Sequence, residues 1–168
     1  SLTAILSDKL GTRVEIGGDV EVDWRNQVVL NRLTIYDQQD DTLLYARRVM
    51  MAYDVWPLLS HHLVLNTCQL IDFDLRGKKQ EGDSVTNFQF VIDALRNKED
   101  DSPSFIQQLD LNAILLRQGH ISYNQYAVTD LSANLHLHDN HLQIKKMHFE
   151  SMEAQVKVNR CDLFIDRL

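Results

Sequence analysis

His136, His138 and His141 form the densest group of metal-ligating side chains in the chain. Two imidazoles spaced i, i+2 leave the same face of a strand, as two ligands of a zinc ion do. That face is the polar one here, shared with Asp130, Ser132 and Asn134. Asp139 adjoins the group, but no further Cys, Asp or Glu is spaced to close a tetrahedral site. A solvated strand face accounts for these histidines, and no metal site is expected. His61-His62 is expected in a turn. Asp72 and Asp74 also share a strand face. General acid–base work would need them to flank a substrate cleft, and a charged sheet edge that discourages aggregation explains them as well. Cys68 and Cys161 are isolated. They define no CxxC pair, they could form one disulfide, and they read as small, half-buried apolar residues. No nucleophile elbow, phosphate loop or dinucleotide-binding glycine pattern occurs, and no placement of Ser, His and Asp suggests a triad. Neither an enzyme nor a cofactor is expected.

Whatever the chain does must then come from its surfaces. Its 168 residues, 44% hydrophobic and 24% charged, suffice for a real core and are too regularly patterned for a disordered tail. A net charge of −7 argues against sequence-independent nucleic-acid binding, which wants a basic surface. No stretch approaches the ~20 apolar residues of a membrane-spanning helix. The sequence opens at Ser1 in helical patterning and stops at Leu168 while the alternation Cys161, Leu163, Ile165 still runs. An anchoring segment upstream and more sheet downstream are expected.

The elements follow from period. Leu2, Ile5, Leu6 and Leu10 mark a helix over residues 2–10, stopped by Gly11. Strict alternation then begins, with Val14, Ile16, Val20, Val22 and Trp24 on one face. Gly17-Gly18 marks a bulge or bend. Residues 28–36 predict a strand, 37–41 a polar turn, and 43–54 another strand. Trp56 to Leu59 predict a helical turn with Pro57 near its start, and residues 62–76 a longer strand. Phe88, Val91, Ile92 and Leu95 predict a second helix over 87–96, capped by Thr86 or Asn87. Residues 97–104, with four charges and Pro103, read as a linker. Beyond it residues 105–123, 127–137, 141–153 and 154–167 predict a meander, with a tight turn at Asp139-Asn140. The predicted class is α+β, mostly β. It is a long, twisted, largely antiparallel and open-ended sheet with two short helices, in which 1–96 and 105–168 belong to one domain cut from a longer chain.

Two details bear on function. A continuous strand over 105–123 would span about 60 Å at ~3.3 Å per residue, far beyond the usual length. The apolar phase also slips within strands, from Leu142 and Ile144 to Met147 and Phe149, and from Val156 and Val158 to Cys161 and Leu163. Bulges are therefore expected near Lys145 and Asn159. A faint repeat relates Leu63-x-Leu65-Asn66-x3-Leu70-x4-Leu75 to Leu109-x-Leu111-Asn112-x3-Leu116-x4-Ile121, 46 residues on. The apolar face of Leu109, Leu111, Leu115, Leu131, Leu135 and Leu137 needs cover. The two helices, curling of the sheet, further sheet or an apolar ligand could supply it.

Leu30 to Asp37, Leu43 to Ala46 and Ala52 to Leu59 resemble the N-terminal region of AsmA-like and TamB-like envelope proteins. The shared pattern runs from an L-x-L-x-D strand through a Leu-Leu-x-Ala strand to a D-x-x-P-L-L turn. Asn87 to Leu95 and Gly119 to Tyr123 resemble the segment that follows in the TamB-like branch, so the likeness covers roughly residues 2–124. It implies a periplasmic protein anchored in the inner membrane by an N-terminal helix. It implies a long β-groove for phospholipid transport, or for assembly of outer-membrane proteins with an outer-membrane partner. It transfers no catalytic residue. The six leucines above are the candidate lipid-groove positions, with phospholipid or another apolar molecule as ligand. Two rivals remain. A transmembrane β-barrel also alternates, but the two helices, the charged linker and the lack of aromatic girdles speak against it. A protein-binding scaffold would pack the same apolar face on other sheet.

Overall fold

The computed structural model describes residues 1–96, 108–152 and 154–164. The linker predicted at 97–104, Phe105 and Ile165 lie outside them, as does the side chain of Leu95. Helix α1, Leu2–Leu10, begins where the Ser1 side chain accepts a hydrogen bond from the Ala4 N–H at 3.2 Å. It ends at Gly11, whose positive φ of 71° lets its N–H reach back to the Ser7 carbonyl at 2.8 Å. The Thr12 hydroxyl then donates to the Tyr36 carbonyl at 2.7 Å and fixes the helix against the sheet.

The strands are β1 (Val14–Ile16), β2 (Val20–Asp23), β3 (Gln27–Tyr36), β4 (Thr42–Tyr53) and β5 (His62–Gly77), then β6 (Gln108–Leu111), β7 (Ala113–Tyr123), β8 (Tyr126–His138), β9 (His141–Ser151) and β10 (Ala154–Phe164). A 3₁₀ turn, Trp56–Ser60, joins β4 to β5 with Pro57 at its start, and helix α2, Gln89–Arg96, precedes β6. All ten strands form one sheet in the order β1-β3-β4-β5-β7-β8-β9-β10, with β2 beside β3 and β6 beside β5. The fold is thus mostly β with two short α-helices, as the periodicity predicts. The expected cap of α2 is not formed. Asn87 instead accepts from the Lys78 N–H at 2.7 Å and donates to the Arg76 carbonyl at 2.9 Å.

The sheet is mixed. β5 pairs in parallel with β6 and β7, and every other pairing is antiparallel. The parallel register explains the faint repeat. Leu63 lies opposite Leu109, Leu65 opposite Leu111, Leu70 opposite Leu116 and Leu75 opposite Ile121, all at the offset of 46 residues. The expected single strand over 105–123 is broken at Asn112, which the pattern of apolar residues alone does not show. Asn112 donates its N–H to the Leu65 carbonyl at 3.0 Å, and its own carbonyl accepts from the Leu137 N–H at 2.8 Å.

A line of irregular backbone crosses the strands. Leu30 and Leu33 both face the helices, so Asn31 and Arg32 share the other face. Val49 with Ala46, Leu70 with Phe73, and Leu116 with Gly119 bracket the pairs Arg47-Arg48, Ile71-Asp72 and Arg117-Gln118 in the same way. The flanking pairs set Arg32 opposite Arg47, Arg47 opposite Asp72, and Asp72 beside Gln118. Arg32, Asp72 and Gln118 have positive φ near 55°, as do Asp130 (50°) and Lys146 (52°) farther along the sheet. Each such residue reverses the alternation of its strand and sharpens the local twist. The slips expected near Lys145 and Asn159 are a single feature, because Met147 pairs Val158 and Lys145 pairs Arg160. The slip at Asp130 was not foreseen. It turns half-buried Val128 inward opposite Ile121 and leaves Ala127 exposed.

The core lies on the helix side of the sheet. Val14, Leu30, Leu33, Ala46, Val49, Phe73 and Leu131 form its buried cluster, and Leu2, Leu6 and Leu10 of α1 pack on it. Gly119 is there for space, since a Cβ at that position would stand 2.1 Å from Cζ of Phe73.

Candidate functional site

The histidines and carboxylates are placed by the outward phase of their strands. His136 is exposed, and His138 lies 3.2 Å from Asp139 in the turn to β9. His141 bonds Asp162 across β9 and β10 at 2.7 Å and stacks on Phe164. The Arg160 guanidinium, with help from His141 and Gln143, holds the Asp162 carboxyl below the usual carboxylate range. His61 closes the 3₁₀ turn with φ 58°, and His62 Nε2 lies 2.6 Å from Asp110 on β6. Asp72 pairs with Arg47 at 3.1 Å, and Asp74 with Arg76 at 2.8 Å. Among the described residues, no group of three or more His, Cys, Asp or Glu side chains is placed to hold a metal ion. The His62–Asp110, His141–Asp162 and Arg47–Asp72 contacts tie neighbouring strands, and Asp72 and Asp74 border an open hollow of about 550 Å³ on the outer face with Gln118, His120 and Asp130.

An apolar cavity lies on the opposite face. About 470 Å³ separates α1 and α2 from the sheet, and the lining is apolar apart from Lys9. Helix α1 contributes Leu2, Ile5, Leu6 and Leu10, and the segment entering and forming α2 contributes Phe88, Val91 and Ile92. These are the faces that the i, i+3, i+4 spacing predicts. The sheet contributes Val28, Leu30, Leu33 and Ile35 of β3, Met51 and Tyr53 of β4, and Leu63, Leu65, Cys68, Leu70 and Leu75 of β5. Phe88 also packs on Gly77, where an added Cβ would meet its ring at 3.1 Å, and sets its edge to Tyr123. The cavity is therefore roofed chiefly by helix side chains and floored by β3, β4, β5 and β7.

The six predicted groove leucines separate in this geometry. Leu109, Leu111 and Leu135 line the cavity. Leu131 faces the same way but is buried in the core cluster at 4% exposure. Leu137 is half-buried opposite Leu142, on the inward side by alternation from Leu135 and beyond the cavity. Leu115 is corrected to the other face. The break at Asn112 shifts the phase of β7, so Ile114 and Leu116 turn inward and Leu115 stands between Gln69 and Asn134. A single-period reading of 105–123 assigned Leu115 to the wrong side for this reason. It also missed Ile114 and Leu116, the second of which was marked by its match to Leu70 in the repeat, while Ile114 falls opposite Cys68 in the same register.

Cys68 and Cys161 are free thiols. Cys68 lines the cavity among leucines, and burial there pushes its thiol up to about 12, because no charge or donor offsets the loss of water around a thiolate. No helix of the described residues is long and apolar enough to cross a membrane, which says nothing of membrane-spanning strands.

The chain matches no protein-family model, and no curated protein is significantly similar to it.

Proposed function

We propose that the chain is the periplasmic part of an inner-membrane-anchored protein of outer-membrane biogenesis. In this reading its helix side is an apolar groove for phospholipid transport or for assembly of outer-membrane proteins. The observation that carries the reading is the cavity, which is lined by leucines, other apolar residues and one lysine and lies on one face of an open sheet. Each acyl CH₂ taken from water into such a lining contributes about 0.8 kcal/mol, while the head group stays at the wet edge. The AsmA-like and TamB-like patterning of residues 2–124 supports the compartment and the membrane anchor. The test is photo-crosslinking in cells from Leu111 and Leu135, compared with outward Leu115 and Asn134. Lipid adducts from the first pair alone are expected, and equal labelling from both faces overturns the reading.

One observation favours a second reading, a scaffold that packs on other protein. Val156 and Val158 of β10 are half-buried, and no residue of β9 or β10 lines the cavity beneath the helices. Native mass spectrometry of the chain expressed in cells separates the two. A bound lipid supports carriage, and a lipid-free protein that associates with other envelope proteins supports the scaffold.

A further inference from the structure

The chain has two tryptophans, Trp24 and Trp56, and they are 88% and 80% exposed. They belong to different loops. Trp24 lies in the turn between β2 and β3, and Trp56 opens the 3₁₀ turn after β4. The fold brings both loops to one end of the sheet, since Gln27 pairs with Ala52 and the Tyr53 N–H donates to the Asn26 carbonyl at 3.1 Å. Val22, Val55 and Leu59 are exposed at the same end. Tryptophan is usually well buried, so two at one rim beside exposed aliphatic residues mark a surface that meets something.

We propose that this rim seats in the interfacial layer of a lipid bilayer, with Trp24, Trp56 and Leu59 entering it. Three features favour a bilayer over a protein partner. The apolar residues stand on separate short loops at a strand end rather than on one flat face. The indole, apolar with one N–H, suits the head-group layer, and Arg25 beside the Trp24 ring (5.7 Å) keeps a charge at that depth. The cavity lining also reaches this end through Tyr53, Leu63 and Leu109. An acyl chain leaving the bilayer at the rim would enter the groove directly, and in this respect the inference rests on the groove reading. The net charge of −7 and the rim carboxylates Asp23 and Asp54 offer no attraction to anionic lipid. Insertion of the rings supplies the affinity, and anionic head groups do not strengthen it.

Because both tryptophans sit at this rim, selectively excited tryptophan emission reports on it alone. The experiment titrates the protein with phosphatidylcholine vesicles, and separately with vesicles containing phosphatidylglycerol. A blue shift with both is expected, as is quenching by lipids brominated in the upper acyl chain. The exposed substitutions Trp24→Ala and Trp56→Ala should each lower vesicle partitioning about tenfold without loss of fold. Unchanged emission with vesicles, or undiminished co-sedimentation of the double variant, overturns the proposal. So does a blue shift that follows protein concentration in the absence of lipid, which makes the rim a contact between copies. Failure here is distinct from failure of the groove. A chain that ignores vesicles yet gives lipid adducts from Leu135 loses the rim alone, whereas vesicle binding without such adducts loses the groove alone.

Discussion

The strands under the helices and the strands beyond them are made from the same alternating pattern, yet only the first group has a buried core. Leu30, Leu33, Ala46, Val49 and Phe73, on β3, β4 and β5, are almost inaccessible, and no residue of β9 or β10 is fully buried. Val49 on β4 and Val158 on β10 have the same inward orientation in one sheet, with four strands between them. What differs is cover, since α1 and α2 close over the first group and β10 has a strand on one side only among the described residues. Alternation thus decides which face a side chain takes, and the second layer decides whether that face contributes to stability. Stability should therefore be concentrated at one end of the strand order.

The strongest way to break this contrast is Phe73→Ala. Phe73 is 4% exposed, joins β5 to β7 over Gly119, and packs with the core of β3 and β4. Truncation should cost about 3–5 kcal/mol and lower the urea midpoint accordingly. A cost under ~1 kcal/mol would mean that the helix-covered region is not the stability core.

Gly119→Ala tests the same contact from the other side. The added Cβ falls on the Phe73 ring, which is held by the core and has little room to give. Overpacking of about 1–3 kcal/mol is expected, recovered in large part by pairing Gly119→Ala with Phe73→Leu. Additive losses in the double variant would remove the ring contact as the reason for the glycine.

Much of this arrangement was legible in the sequence, and what was not has physical causes. Both helices and nearly every strand follow from period, because a face buried on one side forces alternation. The bulge at Lys146 announces itself because apolar residues flank it closely in sequence, Ile144 on one phase and Met147 on the other. At Arg32 the same signal is present, with Val28 and Leu30 on one phase and Leu33 and Ile35 on the other, although the strand as a whole reads as one run. The parallel pairing of β5 with β7 depends on a contact across 46 residues, and alternation carries no sign of direction. The repeat was the visible trace of that register. Leu115 was misplaced because one asparagine, Asn112, interrupts an otherwise unbroken apolar run. The cavity drew on three of the six predicted leucines, and its helix residues were foreseen only as core.

Cys68 sharpens the contrast through pH. Burial pushes its thiol up to about 12 in the folded chain, against the ordinary ~8.5 when unfolded, so above that lower value the unfolded state binds fewer protons. Stability is therefore fully present below about pH 8.5 and should fall as pH rises, by about 1–2 kcal/mol at pH 10. Cys68→Ala should flatten this part of the profile, measured as the difference between the two proteins in urea melts. At pH 8 the native protein should take up one equivalent of iodoacetamide rapidly, at Cys161 on the edge strand, and the second only on unfolding. Equal rates at both thiols would show that the cavity admits water freely.

The smallest effect is expected where the sheet lacks cover. Val158→Ala on β10 removes the same two methyl groups as Val49→Ala on β4, from a half-buried rather than a 2% exposed site. The first should cost under ~1 kcal/mol and the second about 2 kcal/mol, since only the second leaves a cavity that cannot fill with solvent. Amide exchange should separate the regions in the same order. β3 to β5 should exchange only through global opening, and β9 and β10 through a smaller opening that leaves the helix-covered strands intact. If β9 and β10 were instead as protected as β4, their neighbours would have to supply in hydrogen bonding what the helices supply in burial. The β9–β10 ladder, in register from Phe164 opposite His141 to Ala154 opposite Ser151, is the element that would have to do so.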